Sequence, residues 1–230
     1  MKQEGRSKAS AILPVPRSKE EAKRFYDRIS RFYSCLTAPF ERKHAQRALE
    51  LLSIKQGESV LEIGFGPGHC LQLIAEQAGP MGKACGIDIS PGMLEVARRR
   101  LEKAGLFNRT ELHCGDAATL PYRSNSFDAV FMSFTLELFD TPEIPPVLAE
   151  VKRVLKPGGR LGVVSISREN GESIPLRVYE WAHRKWPKYI DCRPIYVEGS
   201  LTDAGYEIGT REKARLAGLP LELVVGLKVE

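Results

Sequence analysis

The stretch Val60-Leu61-Glu62-Ile63-Gly64-Phe65-Gly66-Pro67-Gly68 carries the first chemistry legible in the chain. Its glycines follow an apolar run at alternate positions. Glycine is needed there because a side chain would hold a ligand away from the main chain, and because so tight a turn often needs positive φ. The spacing departs from the G-x-G-x-x-G turn that cradles a dinucleotide pyrophosphate: counted from Gly64, the third glycine position holds His69, and the glycine falls one residue earlier, at Gly68. Glu62 would sit poorly beside a phosphate. A carboxylate there suits a ligand that carries an ammonium or sulfonium charge. Asp88, at the end of the next β-like run, can accept hydrogen bonds from both hydroxyls of a ribose, and Asp116 follows the run after that. Taken alone, Asp116 is a simple turn aspartate and Asp88 a helix cap, but Ser90 already supplies the cap.

These residues require elements that bring them to one edge. From Ser59 onward short β-rich runs alternate with helical patterns, the alternation that produces parallel strands joined by right-handed crossovers. Strands are expected at 59–63, 83–87, 111–114, 127–133 and 160–166. A helix over 69–78 is stopped by Gly79-Pro80, and a second opens on Ser90-Pro91 and closes at Gly105. A third opens at Pro145-Pro146 and runs through Leu155. Two β-like runs, 206–217 and 221–229, joined by Gly218-Leu219-Pro220, should pair antiparallel. Ahead of the first strand, residues 20–54 repeat apolar positions at helical spacing and form a helical cap.

With these pieces in order, Glu62-x-Gly64-x-Gly66-x-Gly68 resembles the first motif of class I S-adenosylmethionine (SAM)-dependent methyltransferases. Leu120-Pro121-Tyr122, Phe127-Asp128-Ala129-Val130 and Leu155-Lys156-Pro157-Gly158-Gly159-Arg160-Leu161 resemble the motifs that follow in that family. The resemblance implies an α/β Rossmann-like class I methyltransferase fold: a mostly parallel seven-stranded sheet with an antiparallel C-terminal hairpin and helices on both faces. It implies SAM as cofactor, S-adenosylhomocysteine as product and no metal. The cofactor-binding residues are then Tyr26, Glu62, Gly64, Gly66, Gly68, Asp88, Ile89, Met93, Asp116, Ala117, Ser133 and Phe134, with Asp116 at the adenine amino group.

Tyr26-Asp27-Arg28-Ile29-Ser30-Arg31-Phe32-Tyr33 resembles the amino-terminal helix of UbiE-type quinone C-methyltransferases, in which an aromatic residue lies over the cofactor. Tyr33 is therefore expected to face the sulfonium and Tyr26 to help close the pocket; the plainer reading of such a stripe is core packing. The chain departs from that family after the fourth strand, where Glu137 and Leu138 stand in place of an adjacent Arg and Asn. Glu137 reads as a general base or an attractor of a cationic substrate, or else as an exposed loop carboxylate. The implied substrate is a lipophilic small molecule such as a quinone-like ring, with a phospholipid or small amine as the alternative acceptor and a non-catalytic SAM-binding protein as the alternative of another class.

Composition sets the frame. The 230 residues are 43% hydrophobic and 27% charged, those of one globular domain, and no apolar run is long enough for a bilayer. The domain is expected over 20–230, with a substrate lid at 167–200 and a flexible basic tail at 1–19 that holds part of the +5 net charge. Cys35, Cys70, Cys85, Cys114 and Cys192 are scattered and read as reduced; neither they nor His44, His69, His113 and His183 show metal-ligand spacing. A cytoplasmic location is expected. Trp181, His183, Trp186 and Tyr189, interleaved with Arg184, Lys185 and Lys188, read as a lid, as a contact with a membrane surface, or as a packed helix with a basic outer face. Nucleic acid is not expected as a partner: the Asn/Asp-Pro-Pro-aromatic stretch of base amino methylation is replaced by Ser133-Phe134-Thr135-Leu136.

Overall fold

The computed structural model describes residues 12–15, 17–36, 38–168, 173–186 and 190–229. Two helices, α1 (Lys19–Leu36) and α2 (Ala38–Leu52), precede β1 (Ser59–Ile63). There follow α3 (His69–Ala78), β2 (Lys83–Asp88), α4 (Pro91–Lys103), β3 (Thr110–Cys114) and β4 (Phe127–Ser133). α5 (Ile144–Val154) leads into β5 (Leu155–Ile166), then α6 (Ile174–Lys185), α7 (Val197–Asp203) and the hairpin of β6 (Tyr206–Leu216) and β7 (Leu219–Lys228).

The strands form one seven-stranded sheet in the order β3-β2-β1-β4-β5-β7-β6. β1 to β5 pair in parallel, whereas β7 runs antiparallel to both β5 and β6. This is the sheet that the sequence motifs imply. The chain steps outward from β1 to β3 and then returns to the other side of β1 with β4. That reversal opens a crevice at the carboxyl ends of β1 and β4, the general ligand position in open α/β sheets.

Alternate residues of the strands feed two cores. Leu61, Ile63, Val130, Met132 and Val163 pack on one face with α5; Val60, Ala129, Phe131 and Val164 pack on the other with α2, α3 and α4. Both faces are covered, which is why these strands read as nearly continuous apolar runs. β5 begins at Leu155, five residues before the expected start, because Leu155 already pairs with Phe127 ahead of a register shift. Consequently α5 ends at Val154 rather than running through Leu155.

The expected solvated tail ends earlier than residue 19. Residues 12–15 and 17–19 form a strap on the domain: Ile12 packs against the core, the Leu13 carbonyl accepts from Arg193 at 2.9 Å, and the Val15 N–H donates to Asp140 Oδ1 at 3.1 Å. Arg17 and Lys19, which look like solvated charge in the sequence, each meet acids brought from distant segments. The rest of the tail, residues 1–11 and 16, lies outside the described residues.

Candidate active site

The turn after β1 is built as its glycines require. Gly64, Gly66 and Gly68 have φ of 70°, 50° and 78°, a region costly for residues with a Cβ. A Cβ on Gly64 would lie 2.5 Å from the Thr135 side chain, while one on Gly66 would enter open space that belongs to the cavity. Gly68 does a different job from the one expected. It is not on the cavity wall; it caps α3, and a Cβ there would lie 2.8 Å from Ala97 on α4. Its glycine thus serves helix packing.

Asp88 at the end of β2 is held by two main-chain donors, Gly66 N–H at 2.8 Å and Ser90 N–H at 2.9 Å. Burial nevertheless pushes its pKa up to about 6. Ser90 caps α4 by accepting from Met93 N–H at 3.0 Å, so Asp88 is not the cap. Asp27 of α1 accepts from the Ser90 hydroxyl at 2.6 Å and the Gly92 N–H at 2.9 Å, pinning the helical cap to this end of α4.

Glu62 is 2% exposed and lines the cavity, and its Oε2 has no hydrogen-bond partner among the described residues. Burial, reinforced by the charge of Asp88, raises its pKa well above the carboxylate range. Such an orphaned oxygen is costly unless a donor arrives with a ligand. Glu62 can take an ammonium group, Asp88 a ribose, and Gly66 leaves its main chain open to the cavity, a set of groups that fits SAM. Asp116, expected at the adenine, has its Oδ2 bound by Lys19 at 2.6 Å and its Oδ1 by Ala118 N–H at 2.9 Å; Lys19 also reaches Glu143 at 2.9 Å.

These groups share one cavity of about 490 Å³. Tyr26, Tyr33, Ile89, Met93, Ala117, Ser133 and Phe134 also line it, so every expected cofactor residue except Gly68 converges there. Tyr26 and Tyr33 stack edge to face with ring centroids 6.2 Å apart. The Tyr26 hydroxyl donates to Asp191, whose carboxylate is also paired with Arg17. Arg17 lies over the Tyr26 ring at 5.2 Å, so the strap is the roof over this end.

Glu137 is not on the wall. It sits in a short 3₁₀ turn and is wholly buried, which excludes the exposed-loop reading, and its carboxyl lies toward Ser165 and Ile166 of β5 without meeting either at good hydrogen-bonding geometry. Burial raises its pKa to about 8. Beside Glu62, Asp88 and Asp116, the cavity wall holds a further carboxyl that Glu137 does not supply, that of Glu41, in the first turn of α2. Burial, together with the charge of Asp191, brings it to about 7. Sequence reasoning missed Glu41, as well as Arg17, Lys19, Asp27 and Asp191; none carries a local signal, since each meets its partners only through packing of distant segments. Within the expected lid, α6 contributes no cavity residue, and its inner face of Leu176, Glu180 and His183 is buried against the domain. Lys188 and Tyr189 lie outside the described residues.

Known proteins resemble this chain in sequence and fold. Residues 60–159 match the methyltransferase domain family. The demethylmenaquinone methyltransferase of Symbiobacterium thermophilum is 34% identical over 222 residues, which cover 89% of this chain and 87% of that protein. The enzyme of the same name from Listeria welshimeri is 35% identical over 145 residues, 63% of this chain and 59% of its own. A SAM-dependent methyltransferase from Aquifex aeolicus has the same fold at a TM-score of 0.61 and 26% identity, over 80% of this chain and 89% of that one. The fold and its crevice are those of a class I SAM-dependent methyltransferase. The chain belongs within that class to the UbiE-type family, and it is a SAM-dependent enzyme.

Proposed function

We propose that the enzyme transfers the SAM methyl group to a ring carbon of a lipophilic, hydroxylated acceptor of the quinol type. The observation that carries this reading is the cavity wall beyond the cofactor residues: Tyr33, Leu138 and Phe139 give it an apolar surface, and Glu41 gives it one carboxyl poised near neutrality. The name shared by the Symbiobacterium and Listeria relatives supports the same acceptor class.

SAM, when bound, supplies an electrophilic methyl whose bond to sulfur breaks with the electron pair left on sulfur. Glu62, the Gly64–Gly66 turn, Asp88 and Asp116 hold the cofactor, and Tyr33 faces the sulfonium. Glu41 accepts the acceptor's hydroxyl proton, which raises electron density on the neighbouring ring carbon. A base whose pKa lies near the working pH is the effective one. The ring carbon takes the methyl and then loses its own proton, Glu41 returns the hydroxyl proton to the ring oxygen, and the net products are methylated ring, S-adenosylhomocysteine and one proton. Glu137 stands behind the wall as a neutral acid and reaches the acceptor only through its neighbours. The strap and the helical cap exclude water, and the remaining acceleration comes from positioning.

The test is label transfer from methyl-labelled SAM to three acceptors: a reduced demethylated quinone, phosphatidylethanolamine and a small primary amine. Label is expected in the quinol. Glu41→Gln should lower kcat by about 10²-fold or more while SAM affinity holds. Label in either amine, or in none, contradicts the acceptor class. Unchanged turnover in Glu41→Gln removes Glu41 from the reaction.

A further inference from the structure

Helix α6 turns two sides to very different surroundings. Leu176, Glu180 and His183 face inward; the His183 Nδ1 lies 2.7 Å from the Ile190 carbonyl, and Glu180 pairs with Arg168. Outward, Ile174, Val178, Trp181 and Trp186 are 79%, 58%, 54% and 47% exposed. Positions 174, 178 and 181 recur at helical spacing along one stripe, and the Trp181 and Trp186 rings meet edge to face at 5.5 Å. Single exposed apolar residues are ordinary, but a contiguous aromatic and aliphatic patch marks a surface that is covered in use.

The charges around the patch identify what covers it. Arg177, Arg184 and Lys185 are exposed on the same helix, and its one acid, Glu180, is turned inward and paired. Among the described residues from 173 to 186 the outer face therefore carries apolar groups and positive charge with no negative charge. Indole rings favour the boundary between headgroups and acyl chains, and lysine and arginine around them favour anionic lipid. A second copy of the chain fits poorly: a symmetric contact through this patch would bring two identical basic rims together.

We infer that the outer face of α6 docks the enzyme on an anionic bilayer surface. The inference does not rest on the acceptor assignment, because vesicle binding is read without turnover. The chain has only two tryptophans, Trp181 and Trp186, so its indole emission reports this face alone. With vesicles of phosphatidylcholine and phosphatidylglycerol the emission should shift to the blue and be quenched by brominated lipid. Pure phosphatidylcholine should produce little shift. Replacing Arg177, Arg184 and Lys185 by Gln should weaken vesicle binding by about fivefold per charge. Trp181→Ser with Trp186→Ser, followed by vesicle flotation, should abolish binding. Both variants should retain SAM binding, which verifies their fold. Equal binding to neutral and anionic vesicles, no binding to either, or a blue shift that appears with protein concentration alone would overturn the proposal; the last would assign the face to a second copy.

Discussion

At the scale of single residues, burial in and behind the cavity wall keeps carboxyls partly or wholly protonated: Asp88 near 6, Glu41 near 7, Glu62 well above its ordinary range, and Glu137, behind the wall, near 8. Each is raised in the folded state, so each binds protons more tightly folded than unfolded. The stability this contributes is complete below the unfolded value and is lost as pH rises through the folded one. Glu137 makes the cleanest test because it is wholly buried and off the wall. Glu137→Gln should leave stability at pH 5 little changed and raise it at pH 8 by about 2–4 kcal/mol, measured by urea unfolding at both values. A variant equally destabilised at both would mean that the carboxyl is ionised and paired in the fold. Glu62, Asp88 and Asp116 are legible in the sequence because each sits next to a turn whose glycines or strand end announce a ligand. Glu41 is not legible. A glutamate in the first turn of an amphipathic helix is an ordinary solvated residue until α2 lies against the carboxyl end of β1.

At the scale of elements, the strand and helix alternation could be read almost throughout, because each strand is an apolar run bounded by turn residues and each crossover helix has its own cap. The strap could not. Pro14, Pro16 and a basic composition describe an unstructured tail equally well, and the contacts that fix it cross 97 residues from Lys19 to Asp116 and 174 from Arg17 to Asp191. The Arg17–Asp191 pair is shielded, with side chains 9% and 17% exposed, and it also holds the Tyr26 hydroxyl. A double-mutant cycle with Arg17→Gln and Asp191→Asn should show a coupling of about 1–3 kcal/mol. S-adenosylhomocysteine should leave the single variants faster, by stopped-flow, than it leaves the parent. Additive stabilities and unchanged release would show that the strap does not close the cavity.

At the scale of the whole molecule, the sheet reversal between β1 and β4 creates the crevice, the helical cap and strap roof it, and α6 presents an apolar and basic surface on the outside. The overall topology follows from motif order. The division of labour does not, because the segment 167–200 reads as a lid by its aromatics, whereas its helix packs inward on polar and apolar groups together and leaves both tryptophans outside. Among the described residues no helix is long and apolar enough to cross a membrane. Carbon methylation of a hydroxylated ring in the cavity is the central proposal. Its most direct test is a single turnover with SAM carrying a trideuterated methyl group and a reduced demethylated quinone, followed by fragmentation of the product in a mass spectrometer. The label is predicted on a ring carbon, surviving cleavage of the oxygen substituents; label on oxygen, or an unmethylated quinol beside intact SAM, would contradict it.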